Sequence, residues 1–175
     1  GAAGSNHALA TAIYARQLGL KSISMLTPQP NARYVRRNLL MSYHCGAELH
    51  LYSGLWSTTP FITLSVLYQL LRHKLKKGQR PRVVALGGSS PLGTIGYVNA
   101  AFELKEQVQK GEMPEPDYIY VASGSMGTAA GLILGLRATN SKTKVAAVRV
   151  SDNKVVNAKG MVKLIYRTNS LLSSL

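Results

Sequence analysis

The sequence predicts an α/β protein built from parallel sheets covered by helices. Three observations carry that expectation. Short apolar runs of strand length alternate with longer stretches of helical periodicity. Gly or Pro punctuates most of the junctions. Three strand-to-helix turns are rich in small polar residues, as expected at the carboxyl ends of parallel strands.

The elements follow in order. Residues 5–18 read as a helix, with Ser5 or Asn6 as its cap and Gly19 as its stop. Residues 21–27 form a short strand ended by Pro28 and Pro30. Residues 32–44 place Tyr34, Val35, Leu39 and Leu40 at helical spacing, with Gly46 beyond. A strand spans 48–52. Residues 60–77 form a longer amphipathic helix with Phe61, Leu64, Leu67, Leu71 and Leu75 along one face. A strand at 82–86 runs into Gly87-Gly88-Ser89-Ser90-Pro91-Leu92-Gly93-Thr94, and a helix continues to about residue 110. Strand 118–122 leads through residues 123–128 into helix 129–136. Strand 144–150 and a helix within 155–175 complete the chain. The connection 78–81 is the expected boundary between a smaller α/β subdomain, 1–78, and part of a larger one, 79–175.

Composition narrows the function. A chain of 175 residues, 46% hydrophobic, can bury a core, so disorder is not expected. The net charge of +14 raises the question of nucleic acid. The basic residues, however, are scattered over turns and helix ends. Only His73-Lys74-Leu75-Lys76-Lys77 clusters, in a last helical turn where cations suit the helix dipole. No basic and aromatic stripe interleaves, and nucleic acid is not an expected partner. The single cysteine, Cys45, has no internal disulfide partner and no zinc spacing. A buried structural thiol in a reducing, cytoplasmic setting is expected. Uncharged stretches at 49–71 and 118–136 are broken by Pro60, His50 and a Gly/Ser turn, so neither reads as a membrane span. The opening residues show no signal-peptide pattern.

The chemistry concentrates in Ser123-Gly124-Ser125-Met126-Gly127-Thr128. Small residues let backbone N–H groups converge there, and the following helix offers its positive end. Such a turn is an anion cup, and a phosphorylated small molecule is its expected ligand. Gly4-Ser5-Asn6-His7 and residues 87–96 are similar turns, and three of them suggest one polar pocket. Neither nucleotide fingerprint fits: residues 88–93 have P-loop glycine spacing, but Thr94 stands where the lysine belongs. No catalytic triad stands out, and acidic residues are too few for paired-carboxylate chemistry or a hard-metal site; no metal is expected. A chain so poor in acids and bases that still builds a phosphate cup suits cofactor chemistry.

Taken together, Gly4-Ser5-Asn6-His7-Ala8 with Thr11-Ala12, Gly87-Gly88-Ser89 with Leu92-Gly93-Thr94 and Gly96-Tyr97-Val98-Asn99-Ala100-Ala101, and Ala122-Ser123-Gly124-Ser125 with Gly127-Thr128 and Gly131-Leu132 resemble one family. It is the D-cysteine desulfhydrase and 1-aminocyclopropane-1-carboxylate deaminase family of pyridoxal-phosphate enzymes, of tryptophan synthase β type. The resemblance runs from residue 1 to about residue 150 and implies the fold-type-II architecture.

The resemblance also implies roles. Ser123, Gly124, Ser125, Met126, Gly127 and Thr128 would hold the phosphate of pyridoxal 5'-phosphate, through backbone N–H groups and the Ser125 and Thr128 hydroxyls. Asn6 would hydrogen-bond the cofactor's phenolic oxygen. Ser5, with the N–H groups of Asn6 and His7, would receive the substrate carboxylate; plain helix capping is the other reading of Ser5 and Asn6. Gly88 and Ser89 would line the same cleft, although Ser90-Pro91 departs from the family's Asn-Ala. The family's Schiff-base lysine lies upstream of the Ser-Asn-His motif, and Lys21, Lys74, Lys76 and Lys77 do not match it. The chain is therefore expected to be an internal fragment, incomplete at both ends, with little turnover of its own. The parent enzyme would release sulfide, pyruvate and ammonia from D-cysteine, or open and deaminate the cyclopropane amino acid. A small amino-acid substrate and a homodimer of the full-length protein are expected. A non-catalytic phosphate-binding module and a basic nucleic-acid module remain the alternatives.

Overall fold

The computed structural model of the chain describes residues 1–53, 59–78 and 81–175. The element order is α1 (Asn6–Gln17), β1 (Ile23–Leu26), α2 (Arg33–His44), β2 (Glu48–Leu51), α3 (Thr59–Lys77), a 3-10 turn (Leu86–Gly88), α4 (Pro91–Gln109), β3 (Tyr118–Ser123), α5 (Gly127–Ala138), β4 (Lys144–Arg149) and α6 (Ala158–Leu172). The chain divides into two compact units, Gly1–Val83 and Val84–Leu175. The connection 78–81 includes residues 79–80, which lie outside the described residues.

In the first unit β1 and β2 pair in parallel, Ile23 opposite Glu48 through Leu26 opposite Leu51. Ala2 bridges Thr27 just past the carboxyl end of β1, so the turn at residues 4–7 begins at that end. α1 ends in a reciprocal cap. Leu20 N–H reaches Ala15 C=O and Gly19 N–H reaches Arg16 C=O, which requires the left-handed φ of +68° at Gly19. α2 ends the same way, through Gly46 and Ala47. Each of these helices is thereby stopped just before a strand.

The buried face of α2 carries Val35, Asn38 and Ser42. This corrects the predicted stripe, because Tyr34 and Leu40 are exposed. The turn at residues 4–7 presents polar groups to α2, and Asn38 satisfies them where a leucine could not. Cys45 is half-buried at the end of α2 rather than buried. α3 departs further from simple amphipathicity. Gln69 is buried, while Leu64, Leu67, Leu71 and Leu75 are exposed.

In the second unit β3 and β4 pair in parallel, Tyr118 opposite Lys144 through Ser123 opposite Arg149. Ala101, Leu132 and Leu136 form its core, with Ile119, Val121 and Val145 packed against it from the sheet. The other sheet face carries Tyr118 and Tyr120, both exposed, with the Lys144 ammonium 5.7 Å from the Tyr118 ring centroid. The strand predicted at 82–86 does not form. Among the described residues this segment has no ladder partner, and residues 86–88 turn as a 3-10 helix. β-propensity supplies only half of a strand; the other half is a neighbour to bond to. No helix of the described residues is long and apolar enough to cross a membrane.

Candidate functional site

Ser123 ends β3 and Gly127 begins α5, so residues 124–126 make the whole connection. The N-cap of α5 is Met126, held at a left-handed φ of 73°, and its side chain makes no capping hydrogen bond. A non-glycine residue in that region costs on the order of 1 kcal/mol, and such strain gathers at functional turns. The Met126 side chain is seated where Gly160 of α6 has none. A Cβ there would lie 3.1 Å from Met126 Cε.

The result is a helix start with free donors. The first backbone bond into α5 is Ala130 N–H to Met126 C=O, at 2.9 Å. By contrast α1, α4 and α6 are capped by the side chains of Ser5, Ser90 and Asn157. Residues 122–129 line a hollow of about 30 Å³. Ser123 Oγ is buried beside it with no hydrogen-bond partner. A buried hydroxyl left unmade costs roughly 1–3 kcal/mol, so an orphan calls for an explanation. No lysine or arginine lines the hollow, so its attraction for an anion comes from N–H dipoles and hydroxyls.

Ser89 reaches this cup from the start of α4. Its Oγ accepts from Gly127 N–H at 3.0 Å and donates to Ser125 Oγ at 2.9 Å. Two of the three predicted turns thus meet within the second unit. Gly88 lies behind Ser89, and its carbonyl accepts from Ser90 N–H at 2.8 Å.

The third turn lies in the first unit. Ser5 Oγ caps α1 by accepting from Ala8 N–H at 3.2 Å, so the capping reading of Ser5 is realised. The N–H groups of Asn6 and His7 have no acceptor within a helix that starts there. Asn6 is held by a residue that sequence reasoning missed. Asn38, 1% exposed, donates to Gly4 C=O and to Asn6 Oδ1, both at 2.8 Å. With its oxygen taken, Asn6 has only its NH2 to offer a ligand. Gln29 Oε1 accepts from Gly4 N–H at 3.0 Å, and a Cβ on Gly4 would come within 2.8 Å of the Tyr34 ring. His7 Nε2 is buried without a partner. Asn38 shares the buried face of α2 with Val35 and Ser42, away from the exposed Leu40.

A larger cleft, about 520 Å³, opens at the amino ends of β1 and β2, lined by Lys21, His44, Glu48 and His73 among others. Size does not make it the better site, because ligands of open parallel sheets gather at the carboxyl ends of the strands. Within it Glu48 is engaged by neighbouring side chains, and His73 Nε2 is buried without a hydrogen-bond partner. Glu48 Oε1 meets Arg72 Nη1 at 2.6 Å and His50 Nε2 at 2.9 Å, and Glu48 Oε2 faces His73 at 3.6 Å. Burial works against ionisation of Glu48, but hydrogen bonds from Arg72 and His50 hold its carboxyl below the usual range. The cluster ties α3 to β2, and it includes His73 from the basic run at 73–77. Among the described residues no group of acidic, His or Cys side chains could hold a metal.

Comparison with known proteins gives this geometry a context. Residues 1–164 match the family described as pyridoxal-phosphate dependent enzyme. A putative 1-aminocyclopropane-1-carboxylate deaminase of Pyrococcus abyssi is 33% identical over 173 residues, 98% of this chain and 50% of its own length. D-cysteine desulfhydrase of Serratia proteamaculans is 34% identical over 178 residues, 98% of this chain and 52% of its own. The solved structure of an ACC deaminase homologue superposes with a TM-score of 0.76 at 30% identity, over 99% of this chain and 50% of that one. Diaminopropionate ammonia lyase of Escherichia coli, at 20% identity and a TM-score of 0.59 over 83% of this chain and 39% of that one, shares the fold. The chain spans about half the length of the curated relatives it matches.

Proposed function

The chain belongs to the pyridoxal-phosphate dependent enzyme family, and from that premise we propose that residues 123–128 hold the phosphate of pyridoxal 5'-phosphate. The observation that carries the reading is the orphaned Ser123 hydroxyl beside an α5 start that its own N-cap leaves uncapped. A phosphate oxygen would partner that hydroxyl, the Thr128 hydroxyl and the free N–H groups together. In the same reading the Asn6 amide donates to the cofactor's phenolic oxygen, and the Asn6 and His7 N–H groups take the substrate carboxylate at the start of α1.

When bound, the cofactor supplies an electron sink that labilises bonds at the α-carbon of an amino acid. The residues of this chain bind and orient: the cup fixes the phosphate, Asn38 fixes Asn6, and Ser5 shapes the helix start. The whole protein is proposed to act on a small amino acid, first as a β-eliminating desulfhydrase of D-cysteine. Deamination of 1-aminocyclopropane-1-carboxylate is the second choice. The names of the relatives from Serratia and Pyrococcus support that pair. A homodimer, and a reducing compartment such as the cytoplasm, complete the proposal; the half-buried free thiol of Cys45 suits such a compartment.

The test uses pyridoxine 5'-phosphate, which has no aldehyde to react with surface lysines. Its affinity for the full chain is measured by calorimetry, with pyridoxine as the control lacking phosphate. Thr128→Val, which keeps shape and removes the hydroxyl, is expected to weaken binding about tenfold, the worth of one hydrogen bond to a charged group. Unchanged affinity in that variant would sink the assignment.

A further inference from the structure

The cup is braced from outside by a residue that does not line it. Ser89 lies 36 and 38 positions before the two groups it bonds, Ser125 Oγ and Gly127 N–H. It is absent from the lining of the hollow, which residues 122–129 make alone. Met126, the N-cap of α5, has no side-chain oxygen, so Ser89 supplies from the α4 loop the cap that α5 lacks.

The surroundings are shaped for this contact. A Cβ on Gly127 would stand 2.7 Å from Ser89 Oγ. Gly87, at a φ of +60°, faces Ser125 so closely that a Cβ would overlap Ser125 Oγ and lie 2.8 Å from Ser125 Cβ. Two residues without side chains thus flank one hydroxyl pair.

We infer that Ser89 is a positioning residue of the phosphate cup and not a ligand of the substrate. It fixes the Ser125 rotamer and the direction of Gly127 N–H before any anion arrives. The inference rests on the reading that residues 123–128 bind the cofactor phosphate. Without the brace, binding must also order the Ser125 side chain and the first turn of α5. The opposite role has the opposite sign: a Ser89 that competed with phosphate for Gly127 N–H would weaken binding by its presence.

The experiment compares wild type, Ser89→Ala, Ser89→Cys and Ser89→Thr, all as the full chain, with pyridoxine 5'-phosphate and pyridoxine as probes. Ser89→Cys keeps the packing while replacing the hydroxyl with a poor acceptor. The Ala and Cys variants are expected to bind the phosphate probe about fivefold more weakly, the usual worth of a cap. Ser89→Thr restores the hydroxyl and is expected within about twofold of wild type, a rescue that general destabilisation would not produce. Ala or Cys variants that bind as tightly as wild type, or more tightly, overturn the inference while the cup reading stands. Wild type that prefers pyridoxine 5'-phosphate no more than pyridoxine overturns the cup reading itself, and the inference with it.

Discussion

Asn38 shows what one residue does for the candidate site. It is buried on a helix face that otherwise packs Val35 and Ser42, and its amide donates to both Gly4 C=O and Asn6 Oδ1. The guanidinium of Arg37 closes the set, donating to Asn38 Oδ1 at 3.3 Å. Asn38→Asp exchanges the donor for a carboxylate facing two acceptors. Removing one partner of a buried polar pair strands the other at roughly 1–3 kcal/mol. The variant is therefore expected to lose about 2 kcal/mol or more of stability to urea. A loss below about 0.5 kcal/mol, the ordinary surface value, would show that Asn38 does not hold the turn. The same residue marks a limit of sequence reading. The Ser5 cap and the cup are local, made by residues within a few positions, and were legible. The Asn38–Asn6 bond joins residues 32 apart, and no pattern in the sequence announces it.

At the scale of elements, helix propensity and packing make opposite demands on the glycines of α4 and α5. Gly96 lies in the exposed interior of α4, and a Cβ there would meet nothing within 4 Å. Gly135 lies against α4, where a Cβ would stand 2.6 Å from Ala101 Cβ and 2.7 Å from Val98 C=O. Propensity alone rewards Gly→Ala at both by up to about 1 kcal/mol. Overpacking a tight contact costs about 1–3 kcal/mol and so wins at Gly135. Gly96→Ala is expected to stabilise the chain and Gly135→Ala to destabilise it, read as opposite shifts of the denaturation midpoint. Shifts of the same sign would mean that the close approach of the helices is not limiting. This also explains which elements were legible. α1, α2, α4 and α5 carry their own stop signals, Gly19, Gly46, Gly111 and Asn140, each at positive φ. The expected strand at 82–86 has the right residues, yet Val83 and Val84 stay 65% and 58% exposed, with no ladder partner among the described residues. Partners are chosen by the fold, and a local pattern cannot name them.

For the whole molecule the question is whether the net charge of +14 or the shape of the cup governs anion binding. That figure already subtracts the acids, so ion pairs such as Arg72–Glu48 and Lys110–Glu106 do not lower it further. The excess makes a diffuse positive field that attracts any phosphate. Salt separates the two contributions, because screening acts over about 10 Å at 0.1 M and about 3 Å at 1 M. A field effect fades as those lengths shrink, whereas hydrogen bonds from Ser123, Thr128 and the α5 N–H groups act at contact. Affinity for pyridoxine 5'-phosphate is expected to fall as salt rises. The ratio between wild type and Thr128→Val is expected to hold within about twofold, since the two proteins carry the same charge and differ in one short-range bond. Titrations at low and high sodium chloride decide it. A ratio that collapses toward one at high salt would mean that the chain's surface field, and not residues 123–128, does the binding. A ratio that persists assigns the recognition to the α5 start, which its own N-cap leaves open and Ser89 braces.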